Sequence, residues 1–313
     1  MTAVYFLGVD GGGTKTQFAL MDAGRKLVAE AALGTSYHPE VGIDGVRHVL
    51  ATGIAQVLAS AGIDSTQIAH AFFGLPAYGE DSKVTPALGA MPASILGHDR
   101  YTVDNDMVCG WAGSLGAEDG INVVAGTGSI GYGRRKGRSA RVGGWGEHFS
   151  DEGSAYWIAM QGLNAYSHMS DGRMPKGPLH AVINEALALE TDLDLCARVY
   201  GPNAQTRGEL AALSQVVARA AMAGDTASRD IFSRAGAALA IIADTLRKKL
   251  GYDADEPVKL SYSGGAFKAG DLLLTPFRNA LAVSSPNFSL CLPMHDPHVG
   301  AALHAANLWK GIL

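Results

Sequence analysis

Asp10-Gly11-Gly12-Gly13-Thr14-Lys15-Thr16 is the stretch of this chain with the plainest chemical capacity. Its three glycines carry no Cβ, so the backbone can turn sharply and a ligand can come close to it. Consecutive N–H groups in such a turn form a concave anion site, and Thr14 and Thr16 add hydroxyl donors. Lys15 either meets that anion or points to solvent. A carboxylate beside an anion site is repulsive unless a cation lies between them. Asp10 therefore points to Mg²⁺, held through waters and bridging to phosphate. A tight hairpin with Asp10 as a turn former is the plainer alternative. The segment is not a Walker-type loop, where Lys and Ser/Thr directly follow the glycine, because Thr14 separates Gly13 from Lys15.

A second segment repeats the pattern: Ile121–Ser129 is an apolar run ending in Gly126-Thr127-Gly128-Ser129. Gly126, Gly128 and Gly131 match the dinucleotide fingerprint, but that motif has to open a helix. The residues that follow are too rich in glycine and charge for one, and read as a hairpin turning at Lys136-Gly137-Arg138. Two hairpins of this kind can hold a polyphosphate between their turns.

Strands must carry these turns. Val4–Leu20, Leu27–Ala32, Ala69–Leu75 and Tyr101–Val103 read as strands, and Gly45–Gly62, Lys83–Met91 and Met107–Leu115 as helices. Further on, helices are expected from Ser154, over Gly208–Ala223, Thr226–Leu250, Asp271–Ala282 and Gly300–Trp309. Strands are expected at Lys259–Ser263 and, on an edge, Phe288–Leu292. Strands with intervening helices place the chain in the α/β class with mixed sheets.

In order, DGGGTKT, VDND, VVAGTGS, GGWGEHFSDEGSAYWIA and SYSGGAFKAG resemble the BadF/BadG/BcrA/BcrD ATPase family, of the sugar kinase/actin/Hsp70-like superfamily, and its N-acetylglucosamine kinase-like branch. The likeness covers nearly the whole chain and is weakest between Ser167 and Arg207. It implies two actin-like (ribonuclease H-like) ATPase domains, 1–116 and 117–299, with a closing helix at 300–313 that rejoins the first. Nucleotide would lie in the cleft between them. The resemblance further implies ATP and Mg²⁺ as cofactors, a small-molecule sugar substrate and a homodimer. The implied reaction is phosphorylation of an amino sugar, first of all N-acetylglucosamine to its 6-phosphate. Glucosamine or another hexose is the alternative acceptor. An ATPase partner or regulatory protein without sugar kinase activity is the alternative role.

Phosphoryl transfer needs positioning, charge neutralisation and a proton acceptor. By its place ahead of the Gly-Thr-Gly-Ser turn, Asp106 corresponds to the family's catalytic aspartate, which orients a hydroxyl and takes its proton. Asp104 is the rival, since both would share a face of an extended strand; a solvated turn cluster is open for both. The resemblance assigns Asp151, Thr127, Gly144 and Trp145 to the sugar with Asp106. Ser154, or Asp151 itself, could instead cap a helix. Asp10 to Thr16 and Gly126-Thr127-Gly128 go to the nucleotide phosphates, and Gly264, Gly265 and Phe267 to adenine and ribose, with a core role equally open for Phe267. Three departures leave the acceptor open: no asparagine in Gly34–Pro39, Met107 after Asp106, and Ala77-Tyr78 in place of a serine-rich turn.

Composition narrows the classes. The chain has 313 residues, enough for about two domains. Its 25 basic against 30 acidic residues provide no basic field for nucleic acid and no polybasic segment for a membrane surface. Cys109, Cys196 and Cys291 are far apart, which fits a reducing cytoplasm and no cysteine-held cluster. No apolar run reaches the roughly 20 residues of a membrane span.

Overall fold

The structure is a computed structural model describing residues 3 to 310 apart from 254 and 286. Residues 311–313 of the expected closing segment lie outside the described residues. Backbone contacts divide the chain into two units, Met1–Asp119 with Leu292–Leu313, and Gly120–Cys291.

The first unit is built on a five-stranded sheet: β1 (Tyr5–Gly11), β2 (Lys15–Asp22), β3 (Leu27–Gly34), β4 (Ile68–Leu75) and β5 (Tyr101–Asn105), in the order β3-β2-β1-β4-β5. β1, β2 and β3 form an antiparallel meander, while β4 and β5 run parallel to β1. The expected strand Val4–Leu20 is thus two strands, broken at Gly12–Thr14, where Asp10 faces Gln17 and Gly11 faces Thr16 across the hairpin. Helices α1 (His38–Ala61), α2 (Thr85–Leu96) and α3 (Met107–Leu115) follow their strands. Helix α1 starts seven residues before the expected start at Gly45. Pro39 is pre-set for a first turn, and Gly42 (φ +69°) takes up a kink that joins the two helical pieces. It ends at Gly62, whose left-handed backbone closes the helix. Leu7, Val9, Phe18, Leu50, Val57 and Phe73 are fully buried in this core, and burial stabilises by about 1.5–3 kcal/mol for each such side chain.

The second unit repeats the topology. β6 (Gly120–Ala125), β7 (Ser129–Arg135) and β8 (Arg138–Gly143) form a meander, and β9 (Val258–Ser263) and β10 (Phe288–Cys291) continue the sheet parallel to β6, in the order β10-β9-β6-β7-β8. The β7–β8 turn falls on Lys136 (φ +50°) and Gly137 (φ +79°), the positive-φ pair that matches strand twist in a two-residue hairpin. Between β8 and β9 lie α4 (Ala155–Ser170), α5 (Pro178–Leu187), α6 (Asp194–Tyr200), α7 (Arg207–Ala212), α8 (Ser214–Met222) and α9 (Thr226–Lys249); α10 (Asp271–Ser284) precedes β10. The single helix expected over Gly208–Ala223 is two helices that meet at Leu213, with Thr206 and Glu209 forming a capping box at the first. α5 and α6 fall in the region where sequence reading placed no element.

Helix α11 (Pro297–Leu308) belongs to the first unit and packs on β1 and α3. The approach requires glycine twice. A Cβ on Gly8 would lie 2.1 Å from the Ala302 nitrogen, and one on Gly300 would lie 2.0 Å from the Gly113 nitrogen. Trp111 is buried, and Trp309 sets its ring edge against Phe6 at 5.6 Å. Trp157, in the second unit, is partly buried beneath the Arg234 guanidinium.

Candidate active site

In the first unit the chemistry collects at the carboxyl ends of the parallel strands, where ligands bind in open α/β sheets. Asp10 and Gly11 end β1, Gly74 and Leu75 end β4, and Asn105 ends β5. Backbone beside Gly11 is tightly cradled. A Cβ there would lie 2.4 Å from Ser36 Oγ, 2.8 Å from Pro76 Cδ and 3.0 Å from the Gly74 oxygen. Gly13 has nothing within 4 Å, so its backbone faces open space. Thr14 and Lys15 are exposed and Thr16 is fully buried. The turn is braced by Thr35 Oγ1, which donates to the Gly12 carbonyl at 2.8 Å. Thr16 Oγ1 and Ser36 Oγ are buried without a hydrogen-bond partner among the described residues.

Asp106 is not in β5. The chain turns helical there (φ −60°, ψ −24°), and Asp106 stands at the N-cap of α3. Asp104 and Asp106 therefore do not share the face of a strand, as the alternation rule expected. Asp104 remains in β5, paired with Gly74, and its charge raises the Tyr78 hydroxyl above the ordinary tyrosine range, after burial as the larger cause. Asn105 braces the corner: its Nδ2 donates to the Tyr78 carbonyl at 3.2 Å and its Oδ1 accepts from Met107 N at 3.2 Å.

Electrostatics link Asp106 to Asp10. Burial, followed by the negative charge of Asp106, pushes the Asp10 carboxyl up to about 8. A hydrogen bond from the Cys109 thiol and the charge of Lys15 oppose this, and Asp296 adds to it. Burial also raises the Cys109 thiol far above its usual range, so it stays a thiol, its Sγ 3.5 Å from the Val9 carbonyl. Two carboxyl groups that disfavour each other's ionisation form an oxygen-rich donor set suited to a hard cation. Among the described residues no group of three or more His, Cys, Asp or Glu side chains gathers as a metal site, so such a cation would take its remaining ligands from water and phosphate.

In the second unit the equivalent strand end, that of β6, carries the Gly126–Gly128 turn. Gly126 N donates to the Gly128 carbonyl at 2.9 Å, and the Gly126 carbonyl accepts from Ala155 N at 2.9 Å, which ties the turn to the start of α4. Ser154 Oγ caps α4 by accepting from Trp157 N at 3.1 Å. The cap is thus serine, and Asp151 is left for other work. Asp151 is 3 % exposed and has a left-handed backbone (φ +62°), which an Asp adopts at some cost. Its Oδ2 accepts from Arg207 Nη2 at 3.0 Å, and the same guanidinium reaches Glu147 Oε2 through Nε at 3.0 Å. Burial raises the Asp151 carboxyl despite Arg207 and a hydrogen bond from the Ser129 backbone; the charge of Glu147 raises it further. Gly128 makes room for the pair, since a Cβ there would lie 2.5 Å from Asp151 Oδ2.

Gly144 and Gly146 take positive φ, and Trp145 between them is 72 % exposed, a free ring rather than a packed wall. Gly264 (φ +107°) follows β9 and presses on the Gly126 turn, where a Cβ would be 2.4 Å from the Ala125 carbonyl carbon and oxygen. Gly265 has open space around its Cβ position. Phe267 sits in the short helix Gly265–Ala269, its ring 4.9 Å from Tyr262 and 5.7 Å from Phe277, a partly buried member of the core edge. Arg207 and Glu147 escaped sequence reading. Arg207 lies 56 residues beyond Asp151, and its only local signal, the Thr206–Glu209 capping box, marks a helix start and not a partner.

The profile of the BadF/BadG/BcrA/BcrD ATPase family matches residues 7 to 305. The chain is 31 % identical over 320 aligned residues to N-acetyl-D-glucosamine kinase of Dictyostelium discoideum, covering 99 % of this chain and all of that one. It is also 31 % identical to N-acetylmuramic acid/N-acetylglucosamine kinase of Clostridium acetobutylicum, over 96 % of this chain and 98 % of that one. A crystal structure from Chromobacterium violaceum, carrying a provisional N-acetylglucosamine kinase name, shares the fold with TM-score 0.72 at 23 % identity, over 98 % of this chain and all of that one. The chain belongs to the BadF/BadG/BcrA/BcrD ATPase family. Its two repeated β-meander sheets with flanking helices are the actin-like sugar kinase architecture.

Proposed function

We propose that this chain is an ATP-dependent sugar kinase that phosphorylates an amino sugar, N-acetylglucosamine at its 6-hydroxyl before other acceptors. The observation that carries the reading is Asp106, set at the first turn of α3 and electrostatically coupled to Asp10 beside the Gly11–Gly13 turn. Asp106 orients the acceptor hydroxyl and takes its proton as the bond to phosphorus forms. The N–H groups of the Gly11–Thr14 turn, with Thr14 and Lys15, hold nucleotide phosphate. In the second unit Gly126-Thr127-Gly128 is read as a phosphate-binding turn and Gly264-Gly265 as a slot for adenine and ribose, with Phe267 supporting the slot from the core edge. Asp151 accepts from sugar hydroxyls, with Thr127, Gly144 and Trp145 beside it. The donor set suits Mg²⁺, which Asp10 would hold through water and which, when bound, neutralises phosphate charge. A homodimer acting in the cytoplasm belongs to the same reading and is supported by the resemblance alone. The relatives named above act on N-acetylglucosamine or N-acetylmuramic acid, which supports an amino sugar over a plain hexose.

The test is ADP release across a panel of hexoses and amino sugars, followed by ³¹P NMR of the product. N-acetylglucosamine should give the highest kcat/KM and a 6-phosphate. Asp106→Asn should lose about 10²- to 10⁴-fold in kcat with nucleotide binding kept, and Asp104→Asn should lose little. Turnover of ATP that no sugar accelerates would refute the proposal.

A further inference from the structure

Asp151 is a buried carboxylate on a strained backbone, and something must hold it. The observed support is Arg207, contributed by the first residue of α7. Its guanidinium bridges two acceptors in the segment after β8, Glu147 Oε2 and Asp151 Oδ2, each at 3.0 Å. The Asp151 carboxylate also takes a hydrogen bond from the backbone of Ser129, the first residue of β7. Asp151 is thereby fixed by Arg207, Ser129 and a further hydrogen bond from the Gly146 backbone, which leaves one of the about four lone-pair sites of a carboxylate to meet a ligand. Arg207 is itself aimed: the capping box between Thr206 and Glu209 fixes the start of α7, with Thr206 N donating to Glu209 Oε2 at 2.8 Å. The Arg207 side chain is 45 % exposed, so its fork lies at the mouth of the segment rather than in the core.

We propose that Arg207 is a positioning residue for the acceptor sugar: it clamps Glu147 to Asp151 and so holds the Gly144–Asp151 segment and the Asp151 carboxylate in the geometry that receives sugar hydroxyls. The inference rests on the kinase reading above. Lysine is a poorer clamp, because the three donors of an ammonium radiate from one nitrogen on a flexible stem and do not reproduce the rigid planar fork that spans the two carboxylates. The charged groups that face Asp151 are Arg207 from α7 and Glu147 from its own segment. His148, beside Glu147, is mostly exposed and lies 4.0 Å from it.

The experiment compares wild type with R207K, R207Q, D151N and the D151N/R207Q double variant, measuring kcat and KM for sugar and for ATP from pH 5 to 9. With Arg207 removed, the KM for sugar should rise about tenfold or more, as for other supporting partners of a functional ligand, while the KM for ATP moves less than threefold. The acidic limb of kcat/KM for sugar should move up by roughly one pH unit, since an opposite charge lowers a carboxyl by 1–3 units. R207K should keep the limb near its wild-type position but still raise the KM. In the D151N background, R207Q should add little, because the group it positions is gone. The inference is overturned if R207Q costs as much in that background as in wild type, or if the KM values for sugar and ATP rise together with an unmoved limb. Lack of sugar phosphorylation by wild type would instead defeat the kinase reading itself. R207K guards against a folding failure of R207Q.

Discussion

Adjacent glycines at the end of β9 should respond to alanine in opposite ways. At Gly264 the backbone has φ +107° and ψ +165°, outside the regions open to a residue with a Cβ. The added atom would sit 2.4 Å from the Ala125 carbonyl carbon and oxygen and 2.7 Å from the Gly126 nitrogen. These are backbone atoms of a paired strand end and cannot rotate away. Relief to an ordinary 3.4 Å contact needs a shift of 1.0 Å in the Gly126 turn or in the chain after β9. Backbone strain of about 1–3 kcal/mol plus overpacking of about 1–3 kcal/mol gives a cost of roughly 2–6 kcal/mol. At Gly265 the Cβ position has nothing within 4 Å, and φ is not positive, so Gly265→Ala should leave stability within about 0.5 kcal/mol. If Gly265 lines the adenine slot, that same methyl should raise the KM for ATP severalfold. Urea unfolding, read by tryptophan fluorescence and far-UV circular dichroism, together with nucleotide titration, separates the two. Gly264→Ala should unfold at clearly lower urea, and Gly265→Ala at wild-type urea with weakened nucleotide binding. A Gly264→Ala protein with wild-type stability and wild-type ATP affinity would refute the packing argument.

Other outcomes follow from the same geometry. Asp10 has a folded pKa of about 8 against an ordinary carboxyl near 3.8, so between these values the folded state holds a proton that the unfolded chain has released. Metal-free protein should therefore lose stability as pH rises through that window, by at most ~1.4 kcal/mol per pH unit. Asp10→Asn should flatten the loss, seen as a higher melting temperature than wild type at pH 8.5 without Mg²⁺, while abolishing turnover. Equal pH slopes for the two proteins would contradict the raised Asp10 carboxyl, whose first cause is burial and second the charge of Asp106. Gly128→Ala places a methyl 2.5 Å from Asp151 Oδ2 and 3.3 Å from Arg207 Nη2, where the buried Asp151, hydrogen-bonded to Arg207, has little room to move. It should cost about 1–3 kcal/mol of stability, and the KM for sugar should rise more than the KM for ATP. Gly8→Ala meets the α11 backbone at 2.1 Å. It should destabilise the first unit by several kcal/mol, about the upper end for overpacking, measurable as early loss of helix on heating; a neutral result would mean α11 is not seated as described.

Sequence reading captured what depends on near neighbours. The apolar runs that become β1, β6 and β9, the helix Met107–Leu115, the Ser154 cap and the Lys136-Gly137 turn follow from residue type and period over a few positions. The glycine segments stood out because missing side chains beside a carboxylate are rare enough to need a reason. It missed α5 and α6, of ten and seven residues, although Leu179, Ile183 and Leu187 recur at helical spacing in α5; α6 buries no residue that would mark a core-facing stripe. It also ran α7 and α8 together, because the interruption at Leu213 involves neither glycine nor proline.

Asp10, the glycine turns, Asp106 and Asp151 could be named as chemically able from the chain alone, since donor type and local spacing are written there. Tertiary structure decided which of them act together. Asp106 rather than Asp104 came to bear on Asp10 because the backbone turned helical one residue after β5 ended. Asp151 acquired Arg207 from a helix 56 residues away. Gly264 has no room for a Cβ because β9 lies parallel to β6 and brings their ends into contact. Charge coupling and close packing depend on distance in space, and a linear string of residues does not contain that distance until the sheets order it.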